Sequence, residues 1–381
     1  MLKRLLVTCS AIGALAVGEA FSEVFRTDLS SDDLDKLASH PTWLKLGRYN
    51  NDFGSSDDLK SDIITDEYFL SVSGRSDPRA ELLATLDKFS VSMPDDPNQS
   101  AICQYPGRVY FLRQETSLNL PDPVDVCPDY SDFVTNGDVN GISLLFIGSY
   151  LENPGSAFGH LLLRFHSDDD ATLSIDINDV LDTGINYGAA DSEEDPLIPY
   201  IVKGLSGQYH STFTTLPFFH HSERYQEDQL RNVWEYRLDI DQDAVDLMTG
   251  HTWELLGVKN KYYFFRQNCA YRMAEMVELG TGTELISKNK VWVAPMDVFH
   301  AMMEQDKTIV KSVKRLASRE TVFNEGYRAL SDAEKQFVDT VLSEPGAAIE
   351  EQILLSNVED PRESLSVALD RFAYQNNMSA D

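Results

Sequence analysis

Tyr262-Tyr-Phe-Phe-Arg-Gln-Asn-Cys269-Ala-Tyr-Arg272 is the stretch on which the fold turns, because a strand-like aromatic run ends there and a helix begins. The helical pattern runs over 269–279 and meets Gly280, a natural stop. Asn268 is a good N-cap, which places Cys269 in the first turn. Unpaired N–H groups and the helix dipole at that position favour a thiolate, the nucleophilic form of cysteine. Two readings stay open from these residues alone: a nucleophile, or a small buried hydrophobe beneath a sheet.

Upstream, the chain offers a partner. Residues 142–147 and 158–165 read as two strands joined by the turn-rich loop Asn153-Pro-Gly-Ser-Ala-Phe-Gly159. On the second strand Phe158, His160, Leu162 and Arg164 share one face, and Leu161, Leu163 and Phe165 the other. His160 is either a half-buried strand histidine or a general base. A strand histidine facing a helix-start cysteine is the base and nucleophile arrangement of thiol catalysis. Further strands are expected within 172–190 and at Trp234–Leu238, and a helix over 243–257. Residues 23–135 read as mainly helical, and the chain returns to helical patterning beyond about 300.

The cysteine count is informative because of the N-terminus. Lys3 and Arg4, the apolar run Leu5–Val17 and small residues around Ala20 form a signal peptide over 1–22, so the mature chain is expected in the periplasm. No later stretch approaches the ~20 apolar residues of a membrane span. Setting Cys9 aside leaves Cys103, Cys127 and Cys269, an odd number in an oxidising compartment. That means one bridge and one leftover thiol, or an intermolecular pair. A Cys103–Cys127 bridge would contribute about 3 kcal/mol in the chain-entropy model.

Length and charge bound the rest. The 381 residues are 42% hydrophobic and 25% charged, ordinary for a folded chain, but 32 Lys+Arg against 62 Asp+Glu leave −30. That balance excludes a nucleic-acid binder and charge-driven docking on anionic lipid. Phosphate-binding, serine-elbow and zinc-helix signatures are absent, so no cofactor or metal is expected. Asp239, Asp241 and Asp243 imitate a calcium loop, but Ala244 stands where that loop needs glycine. His220-His221 would point oppositely on a strand. The aromatic segment Tyr209, Phe213, Phe218, Phe219 reads as a core strand, with the wall of an acyl groove as the other reading.

Several stretches together resemble the bacterial Lnb N-terminal periplasmic domain family. They are Tyr150-Leu-Glu-Asn-Pro-Gly-Ser-Ala-Phe-Gly-His160-Leu-Leu-Leu-Arg164, Gly184-Ile-Asn-Tyr-Gly-Ala-Ala190, Trp234-Glu-Tyr-Arg-Leu238 and the Cys269 segment. Leu37-Ala-Ser-His-Pro-Thr-Trp43-Leu-Lys-Leu46 and Cys103-Gln-Tyr-Pro-Gly-Arg108 also resemble it, so the likeness spans about 33–300. That family resembles circularly permuted papain-like enzymes, including NlpC-type cell-wall hydrolases and lecithin:retinol acyltransferase-like proteins. In the permuted forms the histidine strand precedes the cysteine helix, and here His160 precedes Cys269 by 269 − 160 = 109 residues.

The resemblance implies an α+β fold: a papain-like core over 136–300, an antiparallel sheet with a cysteine-bearing helix. Helical regions at 23–135 and 301–381 would flank it. It further implies Cys269 as acyl-thioester nucleophile, His160 as its base and Asn186 as the group orienting the imidazole; a strand-end turn is the other reading of Asn186. The family's namesake acylates lipoprotein N-termini. Lnb-type acyltransferases carry membrane spans beyond this domain, and this sequence shows none after its signal. The expected partner is therefore a cell-envelope acyl or peptide substrate, transferred or hydrolysed. The rival expectation is a non-catalytic envelope binding protein with Cys269 in its core.

Overall fold

Among the described residues, seven antiparallel strands form one sheet in the order β8-β6-β5-β4-β3-β7-β9, and a two-stranded pair, β1 (Tyr49–Asn51) with β2 (Leu59–Ser61), is separate from it. The large sheet consists of β3 (Gly141–Ile147), β4 (His160–His166), β5 (Thr183–Ala189), β6 (Tyr209–Pro217), β7 (Val233–Leu238), β8 (Asn260–Tyr262) and β9 (Val310–Leu316). The structure is a computed structural model. It describes residues 28–378 except 52–58, 136–137, 150–157, 168–181, 190–196, 288–289, 291, 306–307, 344–357 and 359. Residues 1–22, expected to form a signal peptide, and most of the loop before His160 lie outside the described residues. Helices and sheet together make the α+β class.

The two central strands carry long apolar runs because both faces of the sheet are covered. Between β3 and β4 the register runs from Gly141 opposite His166 to Ile147 opposite His160. Leu161, Leu163 and Phe165 enter the main core, which also takes residues from Leu37 to Ile309. Helices Gln242–Leu255 and Cys269–Thr281 supply much of it, and so do the N-terminal helices Pro41–Leu46, Pro78–Phe89 and Pro106–Glu115. The N-terminal helical region and the sheet thus share one core. The other face carries a smaller cluster of Leu145, Ile147, Leu162, Phe218, Tyr225 and Val233. A third, around Phe323, Phe337, Val338 and Val367, belongs to the helices after residue 318.

Cys103 and Cys127 are joined in a disulfide, and among the described residues Cys269 is the cysteine left unpaired. The Cys103–Arg108 segment has a structural purpose. A Cβ on Gly107 would lie 2.7 Å from the His251 backbone nitrogen, so only glycine lets the two helices meet there. Arg108, 1% exposed, pairs with Glu81 and donates to Thr85 Oγ1 (3.1 Å) and the Tyr68 carbonyl (3.2 Å), with the Tyr105 ring 4.2 Å away. Its own backbone N–H donates to Glu254 (2.8 Å). A buried charge of this kind persists only when each polar group is answered, as here.

Three expectations need correction. Residues 310–316, assigned to a helical C-terminal region, form the edge strand β9 on β7. Its sequence, VKSVKRL, is mostly exposed and lysine-rich, as edges often are, so it lacks the alternation of a half-buried strand. His220 and His221 lie in the short helix Phe218–Ser222, not on a strand. Pro217 ends β6, and the Phe218 N–H turns to the Asp182 carbonyl (2.6 Å). The cysteine helix runs past Gly280 to Gly282.

Candidate active site

The site begins with a cap. Asn268 Oδ1 accepts the Tyr271 N–H (3.1 Å), and its Nδ2 donates to the carbonyls of Phe264 (2.9 Å) and Val293 (2.8 Å). One side chain thus fixes the start of the helix and ties it to both flanking segments, which holds Cys269 in place. Across from it, Gly159 has φ +90°, and a Cβ there would lie 2.6 Å from the Phe146 ring. That left-handed residue sets the direction in which β4 starts, and His160 is its first position.

His160 Nδ1 lies 3.2 Å from Cys269 Sγ, and its Nε2 lies 2.7 Å from Asn186 Oδ1 on β5. The structure therefore brings together all three residues singled out from the sequence. An amide oxygen only accepts, so Nε2 carries the proton and Nδ1 faces the thiol as acceptor. Cys269 is 8% exposed and His160 half-buried.

Electrostatics move the pair in opposite directions. Burial raises the Cys269 thiol, but the His160 imidazolium, its hydrogen bond, and the backbone N–H groups of Leu161 and Ala270 outweigh it, so the pKa is lowered. Burial lowers His160, but the Cys269 thiolate, its hydrogen bond and Asn186 prevail against it and against Arg231, so that pKa is raised. Both shifts favour a thiolate–imidazolium pair.

Cys269 lies at the wall of an apolar cleft of about 70 Å³, lined by Phe158, Tyr262, Phe264, Phe265, Trp292 and Pro295 among others. Trp292 stacks on Phe265 (4.6 Å between centroids) and takes the edge of Phe158 (5.2 Å). The sequence reading missed this wall. Tyr262–Phe265 looked like a strand, yet β8 stops at Tyr262, which frees the rings of Phe264 and Phe265 for the cleft. Trp292 gave no local signal. Tyr209, Phe213 and Phe218 are buried in the cores and do not line the cleft; the Phe219 side chain lies outside the described residues.

Two more rings stand behind the imidazole. Tyr225 lies 6.4 Å from His160, and His221 stacks on Tyr225 (6.0 Å). His221 is 5% exposed, with no hydrogen-bond partner at Nε2 among the described residues. Burial, then the charges of His160 and Arg224, push it down to about 4.

Residues 129–305 match the family described as Lnb N-terminal periplasmic domain, and residues 35–115 match a domain of unknown function, DUF7843. The first match contains His160, Asn186 and Cys269, and the second contains Arg108. No curated protein and no solved structure matches the chain. Among the described residues no helix is long and apolar enough to cross a membrane.

Proposed function

Taking residues 129–305 as an Lnb N-terminal periplasmic domain, we propose that this periplasmic envelope protein is a thiol enzyme that forms an acyl-thioester on Cys269. The observation that carries the reading is the chain of contacts Cys269 Sγ–His160 Nδ1 (3.2 Å) and His160 Nε2–Asn186 Oδ1 (2.7 Å). A cysteine, histidine and asparagine in those roles, with the cysteine opening a helix against a sheet, is the working arrangement of papain-like enzymes. The chain order, histidine strand before cysteine helix, suits a permuted form of that core.

The Cys269 thiolate adds to a carbonyl carbon of an ester or amide, and the carbonyl π electrons move to oxygen. N–H groups of the helix's first turn, with the helix dipole, hold that oxyanion. On collapse the bond to the leaving oxygen or nitrogen breaks, and the His160 imidazolium delivers its Nδ1 proton to it. Water or an amine then attacks the thioester while Nδ1 takes the proton back, and the thiolate is released. Asn186 keeps the imidazole plane and tautomer through both halves. The apolar cleft beside Cys269 suits an acyl or other apolar group on the carbonyl side.

The test is labelling of the purified mature protein with iodoacetamide at neutral pH. Native Cys269 should react faster than Cys269 in a His160→Ala variant, and the mass trapped on Cys269 after exposure to envelope extracts should be an acyl or peptidyl adduct. Equal labelling rates in the two proteins would sink the dyad. The near-burial of Cys269, 8% exposed, favours a second reading, a structural thiol in a binding protein. That reading expects equal rates and a destabilised Cys269→Ala variant.

A further inference from the structure

The helix Leu197–Ser206, LIPYIVKGLS, carries one charged residue, Lys203, and no acid, in a chain of net charge −30. Val202 and Leu205, three positions apart and so on one face, are 55% and 47% exposed. The helix is joined to the cleft. The Phe264 N–H donates to the Gly204 carbonyl (3.1 Å), and a Cβ on Gly204 would lie 2.4 Å from the Phe264 ring. The next residue, Phe265, stacks on Trp292, which in turn takes the edge of Phe158. Phe158, Phe265 and Trp292, with Met296 in the next helix, are all exposed. Large apolar side chains grouped at the mouth of one cleft and continued by an exposed helix face are unlike the scattered apolar residues of an ordinary surface.

We propose that this rim and the helix Leu197–Ser206 form a membrane-docking face, which seats the mouth of the Cys269 cleft on a lipid bilayer by apolar insertion. Three observations select a bilayer as the occupant. A second copy would bring another −30 against the first, and that repulsion opposes self-association. Tryptophan and phenylalanine at the rim, and a single lysine, Lys203, in the helix that continues it, are residues that settle at a lipid–water boundary. The helix is short and amphipathic, the form that lies in the interface and does not span it. The inference goes beyond the thioester reading and holds whether or not Cys269 reacts.

The experiment is co-sedimentation of the native mature chain with phosphatidylcholine vesicles, alone and mixed with phosphatidylglycerol. Binding to phosphatidylcholine should be indifferent to salt. Binding to the anionic mixture should be weaker at low salt and recover as salt screens the repulsion. A Val202→Glu, Leu205→Glu double variant should lose vesicle binding tenfold or more, with iodoacetamide labelling of Cys269 unchanged. Should that variant fail to fold, brominated lipid decides instead: it should quench the tryptophan emission of the native chain and quench a Trp292→Phe chain less. No sedimentation with either vesicle overturns the proposal, and so does binding that the double variant retains. A dimer that the double variant dissolves, in a chain that ignores vesicles, assigns the face to a second copy and overturns it too.

Discussion

The Arg108 cluster and the Cys269 site are two polar clusters set into largely apolar surroundings, one in the stretch that matches DUF7843 and the other in the stretch that matches the Lnb N-terminal periplasmic domain. They differ in completion. Around Arg108 the described partners close the account: Glu81, Thr85, the Tyr68 carbonyl and three aromatic faces surround one guanidinium at 1% exposure. Around Cys269 the partners stop one short, because the sulfur keeps a side against an apolar cleft. Its charge state is also poised, with thiol and imidazole moved toward each other in pKa. Saturation marks the scaffold, and a polarised pair left beside open space marks the place for chemistry.

The largest expected effect breaks the site and spares the scaffold. His160→Ala should slow acyl-enzyme formation from an activated ester by about 10²–10⁴-fold, the usual worth of a positioned base. Stopped-flow burst kinetics measure it, and an unchanged burst would reduce the two clusters to one kind. Arg108→Met should do the reverse. Leaving Glu81 buried without its cation should cost about 3–5 kcal/mol in urea unfolding. The labelling rate of Cys269 in the folded fraction should stay native, and a slowed rate would mean the hub also tunes the site.

His221 sharpens the comparison from the site side. Its folded pKa of about 4 lies below that of the unfolded chain, so between pH 6.5 and 4 the unfolded state takes up a proton that the folded state refuses. Stability should fall as pH drops through that window, by about 3 kcal/mol. A His221→Phe variant should lose that slope, which urea midpoints at pH 7, 5.5 and 4.5 read directly. The smallest effect belongs to Asn186→Ala, about tenfold in labelling rate, since one hydrogen bond to a charged imidazole is lost while the base remains. The pH profile of native labelling should have its midpoint below the ordinary cysteine value. In His160→Ala it should rise, because burial is then opposed only by the backbone N–H groups of Leu161 and Ala270.

The contrast also shows what a sequence can carry. Cys269 and His160 were legible through local signatures, a cap and a strand start after a turn-rich loop, whereas Asn186 followed only from the family resemblance. β9 was not legible, since VKSVKRL at an edge has no buried face to impose alternation. The cleft wall was hidden for a different reason. Phe158, Phe265 and Trp292 come from three separate segments whose meeting depends on how β8 ends and how the helix start is tied to Val293. His221 was misplaced because a strand pattern was carried through Pro217, where the ladder stops. Pairwise burial and loop closure over long separations leave little trace in local periodicity.

Cys103, Cys127 and Cys269 enter an oxidising compartment together, and the spacing of the chain sorts them. Closing a loop between Cys103 and Cys127 spans 24 residues, whereas Cys127 and Cys269 are 269 − 127 = 142 apart. The entropy of ring closure favours the short loop by about 1.5 kcal/mol, and the N-terminal pair also leaves the ribosome first. The disulfide therefore acts as an escort: it consumes the two cysteines able to capture Cys269 in a wrong bridge before the sheet and the cysteine helix have met. A thiol made more acidic by a histidine 109 residues away, and by backbone N–H groups of the finished fold, is quieter in the unfinished chain than in the finished one.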